Sequence, residues 1–167
     1  MSPVAFNRVT PVLRVTDLAA SIDSYVRVLG FTMDWRDDDG NSFASVSRGD
    51  CHLFLASGDQ GHPGSWVWIG VSDVDALHEE LLAKGAKVRH PPTNYPWGSR
   101  ELHVEDPDGN VLRFGSENKS GEPMGDWLDM RGILWRRGPE GGWTQVAVDE
   151  SSRVLLDRDR DVGRRAQ

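Results

Sequence analysis

The chain has 167 residues, of which 38% are hydrophobic and 27% charged, an ordinary balance for a globular protein with a real core. Its net charge of −7 is carried by residues 1–118, which hold 17 acidic and 10 basic side chains, whereas residues 119–167 hold nine of each. This acidity argues against nucleic acid as a partner. It either favours cationic ligands or merely aids solubility, and charge alone does not distinguish the two. No apolar run approaches the roughly 20 residues that a membrane-spanning helix needs, so we expect no membrane partner either.

The cellular address is predicted from the N-terminus and the cysteine content. Residues 1–11, MSPVAFNRVTP, lack the basic and then apolar pattern of a signal peptide. Cys51 is the only cysteine, so an internal disulfide is impossible. Together these features predict a cytoplasmic protein.

The first half of the chain predicts one strand, one helix and three further strands. The first strand covers residues 9–15, and the helix is expected to begin after Asp17 as N-cap and to end at Gly30. The apolar residues of this helix lie on one face: Leu18, Ile22, Tyr25, Val26 and Leu29. The three strands that follow cover residues 31–36, 42–48 and 51–56.

The second half repeats this order. A strand over residues 66–71 is followed by a helix capped by Ser72 or Asp73 and ended by Gly85. The three further strands cover residues 87–90, 100–105 and 110–114, and the sequence Asp-Pro-Asp-Gly predicts a tight turn between the last two. The predicted fold class is therefore α+β, with two βαβββ modules that form half-barrel sheets around a cleft.

Residues 119–167 differ in composition and are predicted to form a C-terminal extension, with a domain boundary at residue 118. A short helical turn is expected over residues 126–130, a hairpin over 132–148, and a frayed polar end over 149–167. Trp127, Trp135 and Trp143 are too many large aromatic residues for a disordered linker. We therefore expect part of the extension to pack.

Four segments resemble the glyoxalase, bleomycin-resistance and extradiol dioxygenase proteins of the vicinal oxygen chelate (VOC) superfamily. They are TPVLRVTDLAASIDSYVRVLGF, FASVSRGDCHLFLASGDQ, SWVWIGVSDVDALHEELLAKG and PWGSRELHVEDPDGNVLRFGSE, and the similarity covers about residues 9–117. The motifs DPDGN and LGF are shared by the whole superfamily and imply only the fold. The combination of SRGD, W-x-x-V-x-D-x-D-A-L-H-E-E and PWG…REL is most similar to the bleomycin-resistance proteins.

The resemblance also implies three metal-ligand positions, which in this chain are Thr10, Trp66 and Arg113. A threonine is at best a weak ligand, an indole is none, and Arg113 places a permanent positive charge where the cation would sit. We therefore expect no metal and no other cofactor, and we assign no catalytic residue. This expectation agrees with the bleomycin-resistance branch, whose members sequester drug without a metal of their own.

Strand parity, extended from these positions, selects the residues expected to line the cleft and bind a ligand. The aromatic candidates are Phe43, Phe54, Trp66 and Trp68. The polar candidates are His52, Glu101, His103 and Arg113. Trp35 at the end of the second strand and Trp97 in the loop before the seventh are expected at the rim, with Asp38 as an acidic neighbour. Flat aromatic walls with a few polar groups suit a planar heteroaromatic ligand, and acidic neighbours attract a cationic end. The predicted function is non-enzymatic sequestration of a bleomycin-like or other small aromatic, cationic antibiotic, in a cleft of the homodimer that the resemblance implies.

Alternatives remain open from the residues alone. Tryptophans on strands also pack in cores or dimer interfaces, and Arg113 is able to form an ordinary ion pair with Glu101 or Glu105 across the last hairpin. A metal-dependent lyase, isomerase or thiol transferase of the same superfamily would need a displaced metal site, for which His52, His103 and Glu101 are the candidates. A third alternative is a regulatory or structural interaction module whose extension docks a partner.

Overall fold

The computed structural model describes residues 4–5, 8–39, 42–128, 133–138 and 142–146. The frayed end predicted for residues 149–167 lies outside the described residues. The described chain divides into two compact units, one of residues up to 67 with 106–110, the other of 68–105 and the residues from 111 onward. Neither α-helix of the described chain is long and apolar enough to cross a membrane.

The elements follow the predicted order. The helices are α1 (Leu18–Asp23), which continues as a π-helical segment (Ser24–Val28), and α2 (Val74–Ala83). The strands are β1 (Val12–Arg14), β2 (Thr32–Arg36), β3 (Phe43–Arg48), β4 (Cys51–Ala56), β5 (Trp66–Gly70), β6 (Lys87–Asn94), β7 (Ser99–Glu105), β8 (Val111–Glu117), β9 (Trp127–Leu128), β10 (Leu134–Arg137) and β11 (Trp143–Val146).

The first sheet has the order β1-β4-β3-β2, with β1 parallel to β4 and the other neighbours antiparallel. Helix α1 packs on β3 and β4. The buried apolar side chains of this sheet alternate along the strands, as the period-2 pattern predicts: they are Leu13, Ala44, Val46, Leu53 and Leu55. The residues between them lie on the opposite face of the sheet.

The Asp-Pro-Asp-Gly turn is structural and belongs to the first unit. The Tyr25 hydroxyl donates a hydrogen bond to Asp106 Oδ2 at 2.9 Å, and Asp106 Oδ1 accepts from the Asn110 backbone N–H at 2.8 Å. Both Tyr25 and Asp106 are buried, and their burial raises the pKa of each. The turn therefore fastens the π-helical segment that follows α1 through the Tyr25–Asp106 hydrogen bond.

The second sheet has the order β5-β8-β7-β6, and α2 packs on β6, β7 and β8. Asp73 caps α2 by accepting from the backbone N–H groups of Asp75 and Ala76 at 2.9 and 3.1 Å, and Gly85 ends it with a φ of 78°. The predicted α+β fold of two βαβββ modules is confirmed. Strands β6 and β8 are longer than expected and end at Asn94 and Glu117. The two prolines of β6 are tolerated because it is an edge strand whose register with β7 shifts between His90 and Thr93.

The extension contributes a third sheet of order β11-β10-β9. Its antiparallel β10 and β11 confirm the predicted hairpin. The helical turn expected from residue 126 is wrong at Trp127–Leu128, which form a strand paired with Leu134 and Trp135, because cross-strand pairing outweighs the local sequence preference. Residues 129–130 of that prediction lie outside the described residues, and the boundary at 118 stays a prediction.

Candidate functional site

One candidate surface lies on the first sheet, on the face opposite α1. The Trp35 ring stacks on Phe43 with centroids 6.0 Å apart and planes 20° apart. Phe54 completes the cluster at 5.6 Å from Trp35 and 5.3 Å from Phe43. Trp35 remains 46% exposed. We call this cluster, with Asp34 and His52, the Trp35 surface.

A β-bulge brings a carboxylate to this surface. The β2–β3 register runs from Met33 opposite Val46 to Trp35 opposite Ser45, so that Asp34 is an extra residue in β2. Asp34 Oδ2 accepts a hydrogen bond from Ser45 Oγ at 2.8 Å. Strict alternation would have put Asp34 on the face opposite Trp35, which is why the sequence did not predict it as a site residue.

The Asp34 carboxylate is ionised and held in place. Ser47 Oγ donates to its Oδ1 at 2.5 Å, and His52 Nδ1 lies 3.4 Å from its Oδ2. The hydrogen bond from Ser47 is the largest of the effects that hold the pKa of Asp34 below its ordinary value. The predicted acidic residue Asp38 lies exposed in the turn after β2, and its role in binding stays a prediction.

A second candidate surface lies on the second unit, around the loop between β6 and β7. Trp97 stacks on Tyr95 with centroids 4.6 Å apart and planes 6° apart, and its indole N–H donates to Glu101 Oε1 at 2.8 Å. The Arg113 guanidinium lies 5.5 Å from the Trp97 ring centroid, a cation–π distance. Trp97 is held on these sides and still 50% exposed. We call Trp97, Tyr95, Glu101, His103 and Arg113 the Trp97 surface.

Glu101 and Arg113 form a buried bidentate ion pair. Arg113 Nε and Nη2 donate to the two carboxylate oxygens at 2.5 and 2.8 Å, and Glu101 is only 1% exposed. Burial alone would raise the pKa of Glu101, but the hydrogen bonds from Arg113 and Trp97 outweigh it and hold the pKa below its ordinary value. Of the two ion pairs considered for Arg113, the structure therefore contains the one with Glu101.

His103 adds a neutral group to this network. Its Nε2 lies 3.4 Å from Glu101 Oε2, and its ring packs near Tyr95 and edge-on to His90 at 5.3 Å. Burial lowers the pKa of His103 to about 4, so the imidazole is uncharged at neutral pH. With Glu101 negative and Arg113 positive, the network has no net charge.

The two tryptophans predicted on β5 are both exposed. Trp68 is 57% exposed, and its ring lies against Gly115, where a Cβ atom would come within 2.6 Å of Trp68 Cζ2. Gly115 is the cross-strand partner of Glu101, which places Trp68 beside the Trp97 surface. Trp66, at the start of β5, is 51% exposed.

Residues 5–114 match the family model described as the Glyoxalase/Bleomycin resistance protein/Dioxygenase superfamily. The chain belongs to this superfamily. A search of curated proteins found no match.

Solved structures of superfamily proteins share the fold. A bleomycin-binding protein from Streptomyces verticillus, determined with copper(II)-bleomycin, is 32% identical with a TM-score of 0.58, over 70% of this chain and 100% of its own. TioX from Micromonospora sp. ML1 is 27% identical with a TM-score of 0.58, over 67% and 100%. A bleomycin resistance determinant from the transposon Tn5, 22% identical with a TM-score of 0.58 over 68% and 100%, shows a likeness in fold alone.

The residues at the metal positions that superfamily resemblance implies do not fit a metal. Arg113 places its own positively charged guanidinium at one ligand position, where it is paired with Glu101. The side chains of Thr10 and Trp66 do not supply the ligands that a metal site would need. Among the described residues, no group of three or more His, Cys, Asp or Glu side chains is arranged to hold a metal ion. A displaced metal site formed by His52, His103 and Glu101 would require the ion pair between Glu101 and Arg113 to break.

Proposed function

We propose that the protein binds a small aromatic, cationic compound of the bleomycin type without altering it, and so confers resistance by sequestration. The observation that carries the proposal is common to both units. Each presents a half-exposed tryptophan stacked on a second aromatic ring, with an ionised carboxylate fixed nearby. Fixed aromatic surfaces bind planar heteroaromatic rings by offset stacking.

The Trp35 surface favours cationic groups. The Asp34 side chain is 26% exposed, and it accepts hydrogen bonds from two serine hydroxyls and has His52 Nδ1 3.4 Å from its Oδ2. In the described part of this surface no Arg or Lys forms an ion pair with Asp34. A cation beside Asp34 would gain a charge-assisted hydrogen bond together with a cation–π contact to Trp35. The overall charge of −7 adds long-range attraction for such a ligand.

The Trp97 surface favours neutral rings. Its buried Glu101 is already paired with Arg113, so a second cation would find no free charge there. The ring of Trp97 is fixed by Tyr95 and by its hydrogen bond to Glu101, which lowers the entropy lost when a ligand stacks on it. The neutral imidazole of His103 offers polar recognition without charge.

The comparison with solved structures supports this class of ligand. The 32% identical protein from Streptomyces verticillus was determined with copper(II)-bleomycin, and the superfamily's description includes resistance proteins. We further propose that the protein acts as a homodimer in the cytoplasm, the compartment that a single cysteine favours. Sedimentation equilibrium at micromolar concentration is expected to give twice the mass of 18.6 kDa; a monomer at all concentrations would refute the dimer.

A fluorescence titration tests the ligand. Metal-free bleomycin and copper(II)-bleomycin, added separately to the full chain, are expected to quench tryptophan emission to saturation. Trp35→Ala and Trp97→Ala should each weaken binding about 5-fold, the usual worth of one aromatic stacking contact. Absence of saturable quenching with both forms of the drug would sink the proposal.

The contribution of the Asp34 charge is tested by a matched pair of variants. Asp34→Asn should weaken binding and flatten its salt dependence, because it removes the charge beside Trp35 and keeps the shape. Asp23→Asn makes the same charge change on α1, at the opposite face of the sheet, and should leave affinity near that of the wild type. Equal effects of the two variants would mean that only net charge matters.

The enzymatic alternative in this superfamily is separated by metal analysis. Stoichiometric zinc, manganese, iron or nickel in purified protein, lost on His103→Ala, would favour a metal-dependent lyase, isomerase or thiol transferase. The proposal made here expects no stoichiometric metal and the same result for His103→Ala. The paired state of Glu101 is the structural reason.

A further inference from the structure

The C-terminal extension is fastened to the end of β6, immediately before the loop that carries Trp97. The buried Asn94 side chain donates to the carbonyl oxygens of Lys119 and Glu122 at 2.9 and 3.2 Å, and its Oδ1 accepts from the Lys119 N–H at 3.0 Å. The Gly125 N–H donates to the Asn94 carbonyl at 2.8 Å. Four hydrogen bonds to one residue therefore set the path of the chain after β8.

This path passes so close to β6 that no side chain fits at Gly125 unless the Thr93 side chain moves. A Cβ atom on Gly125 would lie 2.1 Å from Thr93 Cγ2, far inside van der Waals contact. Thr93 is the residue before Asn94, so the close approach and the hydrogen bonds act at the same place. The start of the extension is thus packed against the strand and not merely adjacent to it.

Beyond Gly125 the extension delivers an aromatic ring to Trp97. Trp127 packs edge-on to Trp97, with centroids 6.4 Å apart and planes at 88°, and Trp143 packs edge-on to Trp127 at 6.2 Å and 88°. The buried indole N–H of Trp127 has no hydrogen-bond partner among the described residues, so ring packing sets its position. The Asn118 side chain also donates to the Tyr95 carbonyl at 3.1 Å. The segment that follows β8 therefore contacts the Trp97 ring through Trp127 and the Tyr95 backbone through Asn118.

We propose that the extension is part of the ligand-binding site, and that Trp127 is the positioning residue that holds Trp97 in its binding orientation. The superfamily match ends at residue 114, before the extension begins, so this device is additional to the family fold. Trp97 is held by its stack on Tyr95 and its hydrogen bond to Glu101, yet the residue is still 50% exposed. Edge-on packing of Trp127 restricts the indole further and so reduces the rotamer freedom left to lose on binding. The role in binding rests on the function proposed above, whereas the positioning of Trp97 does not.

The positioning is tested without ligand by fluorine NMR of the full chain labelled with 5-fluorotryptophan. Seven resonances are expected from the seven tryptophans, and Trp97→Phe identifies that of Trp97. Trp127→Ala should shift and narrow the Trp97 resonance, because the ring becomes mobile and loses an aromatic neighbour. Trp127→Phe, which retains a ring edge, should restore most of the wild-type linewidth.

Two further variants separate positioning from general damage. Trp127→Leu keeps an apolar side chain without a ring and should behave like Trp127→Ala. It remains informative if Trp127→Ala unfolds the small sheet. Arg136→Ala removes an exposed ion pair with Asp126 in the same part of the extension and should leave the Trp97 resonance unchanged. An unchanged Trp97 resonance in folded Trp127→Leu protein would overturn the proposal.

The role in binding is tested with copper(II)-bleomycin as probe. Trp127→Ala and Trp127→Leu should weaken binding about 5-fold and Trp127→Phe less than 2-fold, the scale expected from ordering one large side chain. If the wild-type protein binds copper(II)-bleomycin and all three variants bind it with the same affinity, the role of the extension in the site is refuted. Wild-type protein that does not bind would refute the proposed ligand instead, and the NMR result would still decide whether Trp127 positions Trp97.

Discussion

Replacing Arg113 by methionine should expose how much the second unit depends on one buried ion pair. The substitution keeps the apolar stem and removes the guanidinium that gives two hydrogen bonds to Glu101. Glu101, only 1% exposed, would keep the indole N–H of Trp97 as its one remaining strong donor. A buried carboxylate would then be left without its counter-charge.

The size of the effect follows from burial. Removing one partner of a buried ion pair destabilises by about 3–5 kcal/mol. Because the Arg113 side chain is itself 32% exposed and water reaches that side, the low end applies, and we expect a loss of about 3 kcal/mol in the free energy of unfolding at pH 7.5. Double substitution with Glu101→Gln should recover most of this loss, since no charge remains buried and Gln still accepts from Trp97.

The loss should also depend on pH in a definite direction. In the wild type the pKa of Glu101 is lowered, so its stabilising effect is full above the ordinary carboxyl pKa and declines only below it. Without Arg113, burial dominates and raises the pKa of Glu101, so the variant regains stability relative to the wild type as the pH falls from 7.5 to 5.

Urea unfolding followed by tryptophan fluorescence at pH 7.5, 6 and 5 measures all of this. Arg27→Met, which breaks an exposed ion pair with Asp23 on the helices of the first unit, is the control and should leave the free energy of unfolding close to that of the wild type. A loss below about 1 kcal/mol for Arg113→Met, or one that stays constant with pH, would contradict the description of Glu101 as a buried charge that needs its partner.

Three further predictions concern stability. His103→Gln should make the protein less sensitive to acid. Because the pKa of His103 is lowered to about 4 in the folded protein, the free energy of unfolding of the wild type falls as the pH drops from about 6.5 toward 4, by up to about 1.4 kcal/mol per pH unit. Urea unfolding across this pH range should show a shallower decline in the variant. Gly125→Ala should lower the melting temperature, and adding Thr93→Ser, which removes the clashing methyl group, should restore it; no rescue would mean that the close approach is not the cause. Tyr25→Phe should cost about 1–3 kcal/mol, because the buried Asp106 loses a donor, and unchanged urea midpoints would refute this role of the turn.

Local chemistry explains why the element order could be predicted from the sequence. Asp73 begins α2 by capping backbone N–H groups two and three residues ahead, and Gly85 ends it by its own backbone conformation. The Asp-Pro-Asp-Gly turn and the alternation on either side of it predict β7 and β8 and put His103 and Arg113 on one face. These features depend on neighbours in the chain, so composition and spacing were sufficient. The folded hairpin adds the register, in which these two residues lie opposite each other.

Pair interactions were open in the sequence because alternation shows a face and not a partner. Arg113 was a possible partner for Glu101 or Glu105, and only the folded hairpin shows that both guanidinium contacts go to Glu101. Tyr95, two residues before Trp97 in a Tyr-Pro-Trp-Gly loop, was not recognised as its stacking partner, although a tight turn can bring such residues together. Asp34 was missed because a bulge interrupts the alternation on which parity depends.

The sequence by itself determined the two βαβββ modules, the superfamily and an Arg113 that disfavours a metal, since each is expressed in local motifs or in residue chemistry. Tertiary structure alone decided that Asp34 joins Trp35, that Glu101 is neutralised by Arg113, and that Trp127 packs on Trp97. Trp127 lies 30 residues beyond Trp97 and no local pattern links them. Contacts between distant segments arise only when the chain packs, and those contacts build the Trp35 and Trp97 surfaces.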